Sequence, residues 1–436
     1  MGHPLRIGIA GLGTVGSSVV RILTARANDI AVRCGRPVVV TAVSARERGR
    51  ERGIDLSGFH WFDDPVALAT SPDVDVVVEL IGGEGGPARA TVESALASGK
   101  GVVTANKALL ARHGVALARM AEERGLPLAF EAAVAGGIPV IKTLREALAG
   151  NLVSRVYGIL NGTCNYILTR METEGLDFAT VLADAQRLGY AEADPTFDVG
   201  GFDTAHKLAI LTSLAFGTQV DADAIHVEGI SGVAPLDLKM ADELGYRIKL
   251  LGVAVRTHDG VEQRVHPTMV PKDSAIAQVM GVTNAVTIDA DAVRELTLVG
   301  PGAGGDATAS AVIGDIADIA RGRSGCAFGV PVGALEPLLR APMQRHEGGY
   351  YIRLSLFDRP GAAAAIATRF AERRISLESI IQKGGRRAAT EGAGGAVPVV
   401  LITYATTEEA IRGALEAVSA DGQIAEPPQV IRIERE

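Results

Sequence analysis

Cysteine is scarce: Cys34, Cys164 and Cys326 are the three in 436 residues. They are too few and too far apart for a disulfide framework or a zinc site, and such usage points to a reducing cytoplasm. An excess of basic charge is also missing. Lys and Arg number 43 against 51 Asp and Glu, giving a formal charge of -8. That balance favours a soluble, self-repelling molecule and argues against nucleic acid as a partner. The one basic cluster, Ala45 to Ile54, is interrupted by acids and reads as a solvated loop or a phosphate-sized patch. No unbroken apolar run opens the chain, because glycines divide "LRIGIAGLGTVG". Neither a leader nor a membrane span is expected there.

The chain is long enough for two or three domains, and its patterning changes twice. Over residues 1–145, apolar runs at 5–11, 37–45, 74–82, 101–106 and 127–134 alternate with helical stretches. This is the mark of a doubly wound parallel sheet buried on both faces, an α/β Rossmann-type fold. Residues 146–330 mix helices with strand-like runs at 247–257 and 285–290, which suggests an α+β domain that then returns to the first. Prolines mark 331–349 as a linker. From 350 to 436 the order βαββαβ predicts a ferredoxin-like unit, with a mobile loop at 384–396.

"GLGTVG" follows the first strand and opens a helix. In this context Gly11 makes the tight turn, Gly13 admits a pyrophosphate, and Gly16 allows close packing. Thr14 and Val15 place helix-terminal N–H groups at the same point. An acid that would grip the ribose of NAD is absent from the end of the second strand, where Ser44 and Arg46 stand instead. Serine with arginine can accept a 2′-phosphate, so NADP is favoured, with NAD as the alternative.

Four acids crowd residues 189–211: Glu192, Asp194, Asp198 and Asp203. They lack the register of a calcium loop. Asp203 and Lys207 are four apart and share a helix face, which alone would suggest a surface ion pair. The helix beyond Lys207 is almost wholly apolar, however, so the face is expected to be enclosed. A lysine kept there is a candidate acid/base. Asp194, before Pro195, reads as a turn residue.

Residues 185–207, "AQRLGYAEADPTFDVGGFDTAHK", resemble homoserine dehydrogenases, as do "TANKALL" (104–110), "FEAAVAGGIPVI" (130–141) and "ILNGTCNYIL" (159–168). The resemblance covers nearly the whole chain and implies that 146–330 is an α+β substrate-binding and dimerisation domain. It implies interconversion of L-homoserine and L-aspartate 4-semialdehyde, in threonine, methionine and isoleucine biosynthesis. It also implies that Glu192 and Asp198 hold the substrate with Asp203 orienting it, that Lys207 carries the proton, and that Lys107 lies near substrate and nicotinamide. A sodium ion held by Glu131 and the carbonyls of Val134, Gly136 and Ile138 is a further implication, as is Gly302 lying against the cofactor.

The terminal unit resembles ACT domains, which implies an amino-acid effector, L-threonine, at the turn holding Asp358 and Gly361, and a homodimer or homotetramer. Removing 350–436 is then expected to spare turnover and abolish inhibition. Two alternatives remain at this stage: a semialdehyde dehydrogenase acting through Cys164, and a non-catalytic amino-acid sensor.

Overall fold

The computed structural model describes residues 2–382 and 396–434. Six parallel strands form the first sheet: β1 (Leu5–Ala10), β2 (Val38–Ser44), β3 (His60–Phe62), β4 (Val76–Glu79), β5 (Gly101–Thr104) and β6 (Leu128–Ala129). Their order is β3-β2-β1-β4-β5-β6. Helices α1 (Thr14–Ala25), α2 (Ala27–Cys34), α3 (Pro65–Thr70), α4 (Gly86–Ala97) and α5 (Lys107–Glu122) connect them. Every residue of β4 and β5 is buried, which is why these strands read as continuous apolar runs. The order reverses between β1 and β4, and there a crevice opens at the carboxyl ends of the strands.

Two expectations for this sheet change. β3 has three residues and gave no periodic signal. The strand expected over 127–134 stops at Ala129, because the Glu131 N–H turns to Asp315 Oδ2 (2.8 Å) and Glu131–Ala133 forms a 3-10 turn.

The middle of the chain supplies α6 (Val140–Lys142), β7 (Val153–Ile159), α7 (Gly162–Glu174), α8 (Phe178–Arg187), α9 (Thr196–Val199) and α10 (Phe202–Phe216). It continues with β8 (His226–Val227), α11 (Pro235–Glu243), β9 (Tyr246–Thr257), β10 (Gly260–Pro271), β11 (Thr283–Ala290) and β12 (Arg294–Pro301). Helix α12 (Gly305–Ala320) then returns to the first sheet, where Ala309, Val312 and Ile316 share a core with Val19 and Val20 of α1.

The last part contains β13 (Glu347–Phe357), α13 (Ala362–Glu372), β14 (Leu377–Gln382), β15 (Ala396–Thr403), β16 (Thr406–Thr407), α14 (Glu408–Ala420) and β17 (Gln429–Ile433). The neighbours β17-β13-β15-β14 are antiparallel, as a ferredoxin-like unit requires. The expected loop at 384–396 falls outside the described residues, except for Ala396, which opens β15.

This unit does not stand apart. β17 pairs in parallel with β10 (Thr268 with Arg432, Met269 with Ile433), so one eleven-stranded sheet runs through both parts: nine strands in the order β12-β11-β7-β9-β10-β17-β13-β15-β14, with β8 joined to β10 and β16 to β13. Residues 331–349, expected as a linker, are docked. Glu336 exchanges backbone hydrogen bonds with Gly217 (3.0 Å) and Gln219 (2.8 Å), Val332 and Leu335 are buried, and Arg340 pairs with Asp221. Among the described residues no helix is long and apolar enough to cross a membrane.

Candidate active site

The carboxyl edge of the first sheet holds the glycine loop. Gly11 has φ +107°, and a Cβ there would lie 2.4 Å from the Leu80 carbonyl oxygen. A Cβ on Gly16 would lie 1.9 Å from the oxygen of Gly11, so this glycine lets α1 approach the turn. Around Gly13 nothing lies within 4 Å, and as N-cap it offers no side-chain bond to the first N–H groups of α1, those of Thr14 and Val15. The loop opens onto a cavity of 510 Å³ that Ser44, Arg46, Arg50 and Leu80 also line. Open space at the second glycine, helix-terminal N–H groups without a side-chain cap and three lining arginines, Arg46, Arg50 and Arg52, fit a phosphorylated dinucleotide.

Across the crevice, α10 begins at Phe202 behind Gly201, and its first turn carries Asp203, where the helix dipole favours an anion. Lys207, one turn on, is buried on the same face, as its apolar surroundings predict. Its Nζ donates to Asp203 Oδ2 (2.7 Å) and to the Leu160 carbonyl (2.6 Å). Lys107 arrives from the other sheet. It is the first residue of α5, whose N-cap is Asn106, and its Nζ lies 2.6 Å from Asp203 Oδ1. One carboxylate thus serves two lysines, one oxygen each.

The two lysines are driven in opposite directions. Burial pushes Lys207 below the ordinary lysine value, and Asp203 only partly offsets this while Lys107 adds to it. Burial also opposes the charge on Lys107, but Asp203, Asp198 and Glu192 together hold its pKa above that value. Asp203 keeps its charge despite full burial, because both ammonium groups pull its pKa well down.

Asp198 lies in α9, one short turn before α10. Burial raises its pKa, partly countered by a hydrogen bond from Asn161. Asn161, a residue sequence reasoning left without a role, donates through Nδ2 to both Asp198 Oδ1 (2.8 Å) and Asp203 Oδ2 (2.9 Å). Its Oδ1 meanwhile accepts from the N–H of Cys164 and caps α7. Glu192 is exposed at the rim and reaches the centre through its charge on Lys107. Asp194 accepts from the N–H of Thr196 (3.1 Å), a turn contact as expected.

Glu131 is buried, and both of its oxygens accept backbone N–H groups, from Ile141 (2.8 Å) and Lys142 (2.9 Å). Burial raises its pKa to about 7, with Asp315 adding to the effect. Val134, Gly136 and Ile138 follow in the same loop, and their carbonyls are oxygen donors of the kind a hard cation takes. The Ile138 carbonyl already accepts from the Val140 N–H (2.8 Å). Gly302 packs close by: a Cβ there would fall 2.0 Å from the amide of Asn284, and one on Gly136 would fall 2.4 Å from the Gly302 oxygen. Packing within the chain therefore accounts for the missing side chain at 302.

Cys164 is fully buried, its Sγ donates to the Asp198 carbonyl (3.3 Å), and burial raises the thiol pKa well above its usual value. His206, the base it would need, instead meets Phe197 edge-on at 5.3 Å. A thiol so placed is no nucleophile. In the terminal unit, Asp358 and Gly361 sit at the turn from β13 into α13, exposed, with Gly361 as the N-cap.

A dinucleotide-type glycine loop at the switch point of a doubly wound sheet, in a chain that also seats two lysines on one buried carboxylate, marks a nucleotide-binding oxidoreductase. Three family models match: "Homoserine dehydrogenase, NAD binding domain" over residues 11–131, "Homoserine dehydrogenase" over 139–317 and "ACT domain" over 350–420. The homoserine dehydrogenase of Pseudomonas aeruginosa is 45% identical over 440 residues, 99% of each chain. The crystal structure of a homoserine dehydrogenase from Thiobacillus denitrificans superposes with a TM-score of 0.92 at 41% identity, covering 99% of each chain. A hyperthermophilic archaeal homoserine dehydrogenase in complex with NADPH matches 74% of this chain and 99% of its own, with a TM-score of 0.64 and 26% identity. The chain belongs to the homoserine dehydrogenase family, with a C-terminal ACT domain. That membership sets aside both the sensor and the thiol-dependent enzyme.

Proposed function

We propose that this chain interconverts L-homoserine and L-aspartate 4-semialdehyde with NADP(H), with Lys207 carrying the proton. The observation that carries the reading is the single Asp203 carboxylate shared by Lys107 and Lys207 at 2.6 and 2.7 Å. Gly11, Gly13, Thr14, Val15 and Gly16 would hold the pyrophosphate, with Arg46 at the ribose phosphate. A distant relative of known structure binds NADPH, which supports that choice of coenzyme. Hydride chemistry is what the nicotinamide supplies when bound.

The chain's own residues do the rest. Glu192 and Asp198 receive the substrate ammonium, which needs anionic partners on leaving water. Lys207, in its ammonium form, gives a proton to the alkoxide oxygen during reduction, and in its neutral form it removes the hydroxyl proton during oxidation. Asp203 fixes that amine one helical turn away. Lys107 stays charged and polarises the carbonyl oxygen.

Glu131 with the carbonyls of Val134, Gly136 and Ile138 would hold sodium. Replacing sodium with a large organic cation should then lower activity in the wild type but not in Glu131→Gln. The ACT domain would place L-threonine at Asp358 and Gly361, where α13 offers backbone N–H groups to a carboxylate. A place in threonine, methionine and isoleucine biosynthesis, in the cytoplasm and as a homodimer or homotetramer, follows from the same reading. The deciding assay follows homoserine oxidation with NADP and then NAD, with and without threonine. Equal rates with both coenzymes and no response to threonine would reject those two assignments.

A further inference from the structure

Arg432, in β17, is among the largest side chains that the fold buries completely. It makes two bidentate pairs. Nη1 and Nη2 meet Glu228 Oε2 and Oε1 at 2.9 and 3.0 Å, while Nη2 and Nε meet Glu408 Oε1 and Oε2 at 2.8 and 3.1 Å. Glu408 opens α14 of the ACT domain, whereas Glu228 belongs to the catalytic part and also meets His226 Nε2 at 2.7 Å. Arg432 and Glu408 are buried and Glu228 half-buried, and charges so withdrawn from water are costly unless they are paired, as they are here.

What Glu228 touches gives the arrangement its meaning. Its N–H donates to the Val265 carbonyl in β10 (2.7 Å), and the next segment lies directly against the turn between α9 and α10. The Ile230 N–H donates to the Val199 carbonyl (2.9 Å). A Cβ on Gly229 would fall 2.3 Å from that same oxygen and 2.8 Å from the Gly200 Cα. Gly201 has φ +88°, and a Cβ there would be wedged 3.0 to 3.1 Å from Val265 and Val227. Asp198 stands immediately before this turn and Asp203 immediately after it. The spacing of the two carboxylates is therefore set by a turn that leans on the Glu228 segment.

We infer that Arg432 and Glu228 are positioning residues for the reaction: the last strand of the ACT domain grips Glu228 and thereby fixes the turn that sets Asp198 and Asp203. On this account β17 supports the catalytic part, and removing 350–436 would take away an active-site support along with the effector domain. The inference rests on the proposed role of Asp198 and Asp203 in holding the substrate.

The test uses the full chain. Glu228→Gln keeps the shape of the side chain and leaves Arg432 paired with Glu408. It should lower kcat/KM for homoserine about 10-fold, since small misplacements of reacting groups are costly. The KM for the dinucleotide should stay unchanged, because the glycine loop lies on the other sheet. Arg432→Lys should give a smaller loss of the same kind, and Arg432→Met a larger one. Wild-type homoserine kinetics in Glu228→Gln would overturn the inference. So would a loss shared equally by both substrates with a lowered Tm, which would make Glu228 merely structural. Asp198→Asn serves as reference: if it leaves the homoserine KM untouched, the substrate reading fails independently of Glu228.

Discussion

Two ionic clusters flank the turn between α9 and α10, each built on a buried cation, and the cations differ. Around Asp203 the cations are lysines, one driven below its ordinary pKa and the other held above it. Around Glu228 and Glu408 the buried cation is Arg432, whose pKa is driven further up by its two carboxylates despite burial. Arginine cannot give up its proton at any working pH, and its planar fork binds two carboxylates in fixed geometry. Lysine surrenders a proton once burial lowers its pKa. The same raw material, acids and bases out of water, yields a centre that moves a proton in one place and a tie that cannot in the other.

The contrast can be broken most directly at Lys207. Lys207→Ala should cut turnover about 10³-fold while the dinucleotide still binds, measured by steady-state rates and nucleotide titration. Near-normal turnover would end the assignment of the proton to this amine. Asp203→Asn should slow turnover about 10²-fold and lower stability by about 3 kcal/mol, read by denaturant melts, because it leaves the buried Lys207 ammonium and the half-buried one of Lys107 without their carboxylate.

The pH profile sharpens the comparison. A lysine whose pKa is depressed is protonated below that pKa and neutral above it. Oxidation should therefore rise with pH, and reduction fall, around an apparent pKa below 10.5, the ordinary lysine value. A midpoint at or above 10.5 would show that burial does not control Lys207. Cys164→Ala marks the smallest effect: turnover within about threefold of wild type and a loss of about 1 kcal/mol, the cost of a small cavity.

How much of this could be read from the chain depends on the distance over which each feature acts. Asp203 and Lys207 sit four residues apart on an apolar helix, so their pairing and enclosure were local and visible. Lys107 meets Asp203 from another sheet, and only the family motif pointed to it. Asn161 announces nothing locally, since an asparagine before glycine looks like a plain turn residue. Its signal was the N-cap position before α7, which gives no hint of the second bond, made by the amide to two carboxylates. Arg432 stands in the alternating run "QVIRI", where a charged residue suggests a solvent face. That face is covered by α14 and the Glu228 segment, a burial set by tertiary packing and invisible to period-two reasoning. The docked stretch 331–349 misled for the opposite reason. Its prolines predict irregular backbone correctly, but irregular backbone can still be pinned down by its hydrogen bonds.

The parallel join between β10 and β17 has a bearing on how the molecule is made. Thr268 and Arg432 are partners across roughly 160 residues of intervening chain. During synthesis, β10 and the acidic turn beside it emerge long before the strand that braces them. Pairings of such long sequence separation form late. The nucleotide-binding half can close once α12 has emerged, whereas the substrate-holding half still waits with part of a sheet edge open for its brace to arrive. In that interval the nascent chain is most exposed to mispairing.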